Sequence, residues 1–118
     1  MNIKIKRVYD KPEAGDGVRI LVERLWPRGV SKKDARVDIW LKGPSPSTEL
    51  RKWFSHDHAK WEEFRRRYNR ELDQNREAVT ELLKITGGSD ATFVYGSKEK
   101  EYNSAAALKD YIEKLVKT

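Results

Sequence analysis

A short apolar run, Ala91-Thr92-Phe93-Val94-Tyr95, stands between Gly87-Gly88 and Gly96. Successive residues of a strand point to opposite faces, so such a run turns apolar groups both ways and must be covered on both. That points to a sheet buried under helices. Val18, Ile20 and Val22 alternate, with Leu21 and Leu25 apolar beside them. They read as a second strand buried on both faces, stopped by Pro27, which lacks a ladder donor.

The remaining segments fit around these two. Ile3 and Ile5 alternate with Lys4 and Lys6 and lead into Val8 and Tyr9, a first strand. Asp10 to Gly17 is a loop, and Trp26-Pro27-Arg28-Gly29 is a turn. Ser31 suits the cap of a single helical turn over Lys32 to Ala35. Val37, Ile39 and Leu41 alternate as a short third strand, with the end of a helix as the alternative.

Ser45 and Pro46 match an N-cap and first helical position, and Leu50, Trp53 and Phe54 then share a face. Asp57 is the next cap. Trp61, Phe64, Tyr68, Leu72, Val79, Leu82 and Leu83 follow at helical spacing, either as one helix to about Thr86 or with a break near Asp73-Gln74-Asn75. Gly87-Gly88 is expected to end it in the left-handed conformation. After the Ala91–Tyr95 strand, Asn103 or Ser104 caps a last helix striped by Leu108, Tyr111, Ile112 and Leu115. The expectation is an α/β fold: a small mixed or mainly parallel sheet covered by helices, one domain over residues 1–118.

Composition narrows the chemistry. The chain has no cysteine, which removes disulfides, thiolate catalysis and cysteine-based metal centres. The first ten residues alternate charge and hold no apolar leader core, and no stretch reaches the roughly 18 apolar residues of a membrane span. A cytoplasmic location without membrane contact is the expectation. Net charge is +6, unevenly spread: residues 1–59 hold 13 Lys+Arg against 8 Asp+Glu, a net of +5, and residues 60–118 hold 12 against 11, a net of +1. An excess in the first half suits an anionic partner; the plainer reading is solubility.

Five segments carry groups with chemical potential. Arg24-Leu25-Trp26-Pro27-Arg28-Gly29 follows a core strand, and strand ends are where ligands bind in open α/β sheets. Arginine pairs bidentately with carboxylate or phosphate. Alternation sends Arg24 to the face of Val22, and Trp26 can stack on a ring or fill the core. The plainer reading is a structural corner with Arg24 paired to Glu23 or Asp38. The Ser45–Phe54 segment offers a helix N-terminus for an anion, with Arg51 turned toward it, or ordinary capping. His56-Asp57-His58 suggests a metal or acid–base site, yet no further His or Cys completes a typical ligand set. Neither a metal nor a cofactor is expected. Arg65-Arg66-Arg67 with Arg70 resembles a nucleic-acid footprint, but Glu62–Arg66 and Glu63–Arg67 are helix pairs in the favourable order, so a solvated face is the simpler reading. In Tyr95–Asn103, a strand, a glycine-containing loop and a helix start offer Ser97, Lys98 and Asn103 to a ligand, with capping as Asn103's plainer role. No phosphate-loop, nucleophile-elbow, zincin or dinucleotide spacing occurs. A Ser97–His56 pair can be written down, with no motif behind it.

Taken in order, these segments resemble a known family. Val18-Arg19-Ile20-Leu21-Val22-Glu23-Arg24-Leu25-Trp26-Pro27-Arg28-Gly29-Val30 is similar to the signature of the YeaO-like proteins, domain-of-unknown-function family 488. The likeness continues through Asp38, Trp40, Pro46–Phe54, His56-Asp57, Trp61, Phe64, Tyr68, Tyr95 and Asn103-Ser104-Ala105, covering essentially the whole chain. It implies a bacterial or archaeal α/β protein and no particular activity. Similar proteins often carry a histidine beside the asparagine at Asn103, where this chain has Tyr102 and Ser104; a hydrolase that needed that group is disfavoured.

The reading that follows is a site for a small anionic ligand, a nucleotide or phosphometabolite, with or without catalysis. Arg24, Arg28 and Arg51 pair its charge, Trp26 walls the pocket, and Tyr95, Ser97 and Asn103 supply polar contacts. It requires the Trp-Pro-Arg-Gly turn and the Tyr95 loop to share one sheet edge. One alternative is a nucleic-acid-binding protein using the basic first half. Another is a protein-interaction module, which predicts an exposed apolar patch including some of the Trp side chains. Oligomeric state is not legible.

Overall fold

The computed structural model describes residues 2–117. Four strands, β1 (Ile3–Arg7), β2 (Val18–Leu21), β3 (Ile39–Trp40) and β4 (Ala91–Tyr95), form one sheet in the order β1-β4-β2-β3. All three pairings are parallel, with Ile5 and Ile20 both in register with Phe93. The sheet is therefore fully parallel, as a chain with central apolar strands favours. Five helices accompany it among the described residues: α1 (Lys32–Ala35), α2 (Thr48–Phe54), α3 (Trp61–Gln74), α4 (Arg76–Thr86) and α5 (Ser104–Lys117).

Strand alternation divides the interior in two. Ile3, Ile20, Val22, Ala91, Phe93 and Tyr95 join a large core with Leu50 and Phe54 of α2, Phe64, Tyr68 and Leu72 of α3, Val79 and Leu82 of α4, and Leu108 and Ile112 of α5. Val8, Leu21 and Val94 face the other way onto Ala35, Trp26, Val30, Val37 and Trp40. Both central strands are thus covered on both sides. Beside the smaller core lies a buried ion pair: Asp16 and Arg19 are 2% and 4% exposed, and Arg19 Nη1 is 2.6 Å from Asp16 Oδ2.

Several boundaries differ from the expectation. β2 stops at Leu21 instead of running to Leu25, because beyond it the ladder loses its partners. The Glu23 carbonyl accepts from the Trp40 indole at 2.7 Å, residues 23–25 bend, and Leu25 stands 72% exposed. Ser47, not Ser45, caps α2. Its Oγ accepts from the Leu50 amide at 3.1 Å, while Ser45 closes a turn onto the Lys42 carbonyl. Ser47 wins the role because Glu71 of α3 anchors it, accepting from its amide at 2.8 Å and its hydroxyl at 2.6 Å. The long helical stretch does break, at Asn75, between α3 and α4. Gly87 ends α4 at φ −68, so no left-handed cap forms; its amide bonds back to the Leu83 carbonyl within ordinary helical geometry. Asn103, not Ser104, precedes α5, its Oδ1 accepting from the Ala106 amide at 2.8 Å.

Candidate functional site

Strand order decides where a ligand can sit. β2 leads to β3, away from β4, while β4 leads into α5, which packs back over β4 and β1. The two connections part at the carboxyl ends of β2 and β4 and leave a crevice, the place where open parallel sheets bind ligands. A cavity of about 470 Å³ opens there. From the segment after β2 it is lined by Glu23, Arg24, Leu25, Trp26, Pro27 and Arg28; from that after β4 by Gly96, Ser97, Tyr102, Asn103 and Ser104. Ser45, Pro46, Arg51, Phe54 and His56 close it from the α2 side. The Trp-Pro-Arg-Gly turn and the loop after Tyr95 thus lie on one edge of the sheet.

The three arginines reach the cavity by different routes. Arg24 and Arg28 are exposed on the bent segment, and among the described residues neither side chain makes a hydrogen bond or ion pair. The expected internal partners are otherwise engaged: Asp38 accepts from the Arg19 amide at 2.9 Å and Glu23 from the Gly96 amide at 3.1 Å. Arg51 rides on α2, whose start is held against α3 by the Glu71 contacts and by the Tyr68 hydroxyl, which donates to the Pro44 carbonyl. Its Nε is buried without a partner, and Nη2 makes only a 3.4 Å contact with Thr48 Oγ1. A buried donor left unpaired costs about 1–3 kcal/mol. At the helix start the Ser47 and Leu50 amides are already taken, by Glu71 and by Ser47 Oγ.

The other expected residues divide. Trp26 lines the cavity but its indole is committed: Nε1 donates to the Val30 carbonyl at 2.8 Å and the ring meets Trp40 edge-on at 5.5 Å. Ser97 lines the cavity and its Oγ accepts from the Glu99 amide at 3.0 Å, leaving the hydroxyl proton free to donate. Asn103 lines it too, with both ends of its amide used, Nδ2 toward the Glu99 carbonyl at 2.9 Å and Oδ1 toward Ala106. Tyr95 lies in the main core, 3% exposed and outside the cavity lining; burial, then Asp10, push its phenol above the ordinary range.

Two lining residues stand outside the arginine–tyrosine set drawn from the sequence. Glu23 sits at the foot of the cavity, strapping the end of β2 to the loop after β4. Burial raises its pKa above the ordinary carboxylate value, against the Gly96 amide and the Arg51 charge, which act to lower it. Gly96 allows this close packing: a Cβ there would lie 3.2 Å from Pro27 Cβ and 3.4 Å from Glu23 Oε2. In one sequence Glu23 looks like any polar strand residue; only the bend at 23–25 makes it part of the site. His56 is the other. It follows Ser55 in a pair of left-handed residues, φ 45 and 58, that turn the chain out of α2 and set the ring on the cavity's edge. Such conformations cost of order 1–3 kcal/mol each and are enriched at functional sites.

The remaining candidates have internal roles. His58 pairs with Glu99 at 2.8 Å and its ring meets Tyr102 at a tilt of 47°, while Asp57 takes the Ala59 amide. Among the described residues no His, Cys, Asp and Glu cluster could hold a metal. Arg65 pairs with Asp110, and Arg66 and Arg67 both pair with Glu63. The Glu63–Arg67 pair forms as expected; Glu62 instead lies near Arg65 at 3.7 Å, so the expected Glu62–Arg66 pair does not form. No helix among the described residues is long and apolar enough to cross a membrane.

Comparison with known proteins agrees with the resemblance seen in the sequence. The family model described as "Inactive DUF488-N3 subclade" matches residues 2–118. The Escherichia coli (strain K12) protein named "Uncharacterized protein YeaO" is 44% identical over 115 residues, covering 98% of this chain and 100% of that protein. Two mycobacterial proteins, "Uncharacterized protein Mb3100c" of Mycobacterium bovis and "Uncharacterized protein Rv3073c" of Mycobacterium tuberculosis, are each 42% identical over 106 residues, 90% of this chain and 89% of theirs. No solved structure matches. With a model matching nearly every residue and a 44% identical relative covered along its whole length, the chain belongs to the Inactive DUF488-N3 subclade and, through it, to the YeaO-like proteins of domain family 488.

Proposed function

We propose that the crevice between the ends of β2 and β4 binds a small anionic ligand, a nucleotide or phosphorylated metabolite. The observation that carries this reading is the state of its arginines. Arg24 and Arg28 have no internal partner among the described residues, and Arg51 keeps a buried Nε unpaired, all against one cavity. A carboxylate or phosphate would satisfy these donors with charge-assisted bonds. The cavity volume of about 470 Å³ falls in the usual range for small-molecule sites.

Binding without turnover is the form of this reading the site supports better. The matching subclade is described as inactive, and no histidine flanks Asn103. His56 and Ser97 share the cavity, but Ser97 Oγ is engaged with the Glu99 amide and His56 has no hydrogen bond among the described residues. A nucleophile–base–orienter relay has no support in that arrangement. The interaction-module alternative gains nothing from the tryptophans: all four are partly buried, and the large exposed apolar side chains are Tyr9, Leu25, Leu115 and Val116.

The test is a thermal-shift series with nucleotides, phosphorylated metabolites and short single-stranded DNA and RNA on wild type, Arg24→Ala and Arg28→Ala. Both guanidiniums are exposed and unpaired, so the free variants should melt within about 0.5 kcal/mol of wild type. Ligand at 100 times its dissociation constant should add about 2.7 kcal/mol to wild type and far less to either variant. Early-melting free variants would identify the segment as a structural corner. Binding confined to the nucleic acids, weakening steeply with salt, would favour the nucleic-acid alternative.

A further inference from the structure

The geometry points to a ligand that carries hydroxyl donors as well as an anionic group, a ribonucleoside monophosphate in size and chemistry, with its sugar hydroxyls donating to Glu23 and its phosphate held by the arginines. This inference rests on the proposed anion site and adds its substrate class. The starting point is a conflict inside the cavity. A site for a simple anion should hold only donors and cations, yet a carboxylate lines it. An acceptor-only ligand such as sulfate would be repelled by Glu23 wherever the two approach.

Glu23 is not neutralised internally. Its Oε1 accepts from the Gly96 amide, no ion pair involves it among the described residues, and Arg51 acts on it only at a distance. Oε2 receives no hydrogen bond among the described residues, although it lies beside Gly96 in the cavity wall. An ionised carboxylate accepts only, so its unused oxygen offers a place for a ligand's donor. A pair of sugar hydroxyls supplies donors in the geometry a carboxylate takes, as acidic residues do for ribose in other parallel-sheet folds.

Size and walls agree. A lone phosphate would leave most of a cavity of about 470 Å³ empty. Phe54, Phe64 and Tyr102 give it a partly aromatic wall against which a base can pack. The charges are also separated suitably. Arg24 and Arg28 are exposed and Glu23 is half-buried, so a phosphate at the mouth and a sugar further in match the gradient.

The experiment measures binding of the four nucleoside 5′-monophosphates, their 2′,3′-dideoxy counterparts and sulfate to wild type and Glu23→Gln by calorimetry. Glutamine keeps the length of the side chain and an oxygen for the Gly96 amide. Because burial disfavours the ionised form of Glu23, the neutral variant is expected to melt no earlier than wild type at neutral pH. Wild type should prefer at least one ribonucleotide over its dideoxy form by about tenfold, the difference between a charge-assisted bond and none. In Glu23→Gln that preference should shrink to within about twofold, while sulfate binds equally well or better. Equal affinity for the ribo and dideoxy forms in wild type, or a preference that survives in Glu23→Gln, overturns the inference while leaving the anion site intact. Sulfate binding without any nucleotide does the same. Absence of binding by every probe overturns the anion site itself.

Discussion

Replacing Gly17 with alanine should cost about 3 kcal/mol or more, enough to leave much of the chain unfolded at moderate temperature. Gly17 lies between the 3-10 turn Ala14–Asp16 and the start of β2, at φ 64 and ψ −141, a region open in practice only to glycine. A Cβ there would lie 2.1 Å from the Asp90 carbonyl oxygen, and that oxygen accepts from the Val18 amide at 3.0 Å. The alanine would force apart the ends at which β2 and β4 begin to pair. Gly29 is the internal control. Its φ is 76 but nothing lies within 4 Å of a Cβ. Gly29→Ala should therefore cost only the conformational penalty, about 1–2 kcal/mol. Urea melts of the two variants separate the contributions; equal losses would mean that the Asp90 contact relaxes freely.

Removing the Asp16 carboxylate should be comparably costly. It is the counter-ion of a buried guanidinium. Arg19 Nη1 meets Asp16 Oδ2, Nη2 donates to the Ala35 carbonyl at 2.9 Å and Nε to the Arg36 carbonyl at 3.1 Å. Lys6 reaches Asp16 Oδ1 at 3.1 Å. Asp16→Ala leaves Arg19 charged and unpaired inside the fold, a change worth about 3–5 kcal/mol in comparable sites. The same carboxylate makes stability depend on acid. Burial alone would raise its pKa, but the Glu13 amide, Lys6 and Arg19 together hold it below the ordinary aspartate value of 3.8. A depressed carboxylate pKa gives stability that is fully present above the unfolded value and lost as pH falls through the folded one. Wild type should lose stability as pH drops below about 3.8, and Asp16→Asn should lose less over that window. Some slope will remain in the variant, because Glu13, Glu63 and Glu99 are also held low by their partners. Parallel acid melts of Asp16→Asn and wild type would reject this assignment.

Both changes act at the amino end of β2, opposite the crevice. They should destabilise the fold, whereas loss of Arg24 or Arg28 should spare it and remove only the ligand response. That contrast separates residues that build the sheet from those the sheet presents.

What the sequence by itself determined was the set of elements and their burial. Period-two and period-3.6 patterns are local, and apolar strands such as Ala91–Tyr95 can be satisfied only beneath two layers. The Ser31 and Asp57 caps and a sheet of mainly parallel strands follow that logic, whereas the meeting of Arg24, Arg28, Arg51, Ser97 and Asn103 at one edge was a requirement that only the strand order could meet. Tertiary structure decided the rest. Ser47 displaced Ser45 as the cap because Glu71, 24 residues later, reaches it. Tyr95 turned into the core because the alternation of β4 gave that face to the helices. Glu23 and His56 entered the site through a bend and a left-handed turn that no periodicity encodes. Whether Arg24 and Arg28 are paired or free was likewise settled at long range: an ion pair depends on where the carboxylates fold to, and here they fold onto Arg19 and Gly96 instead.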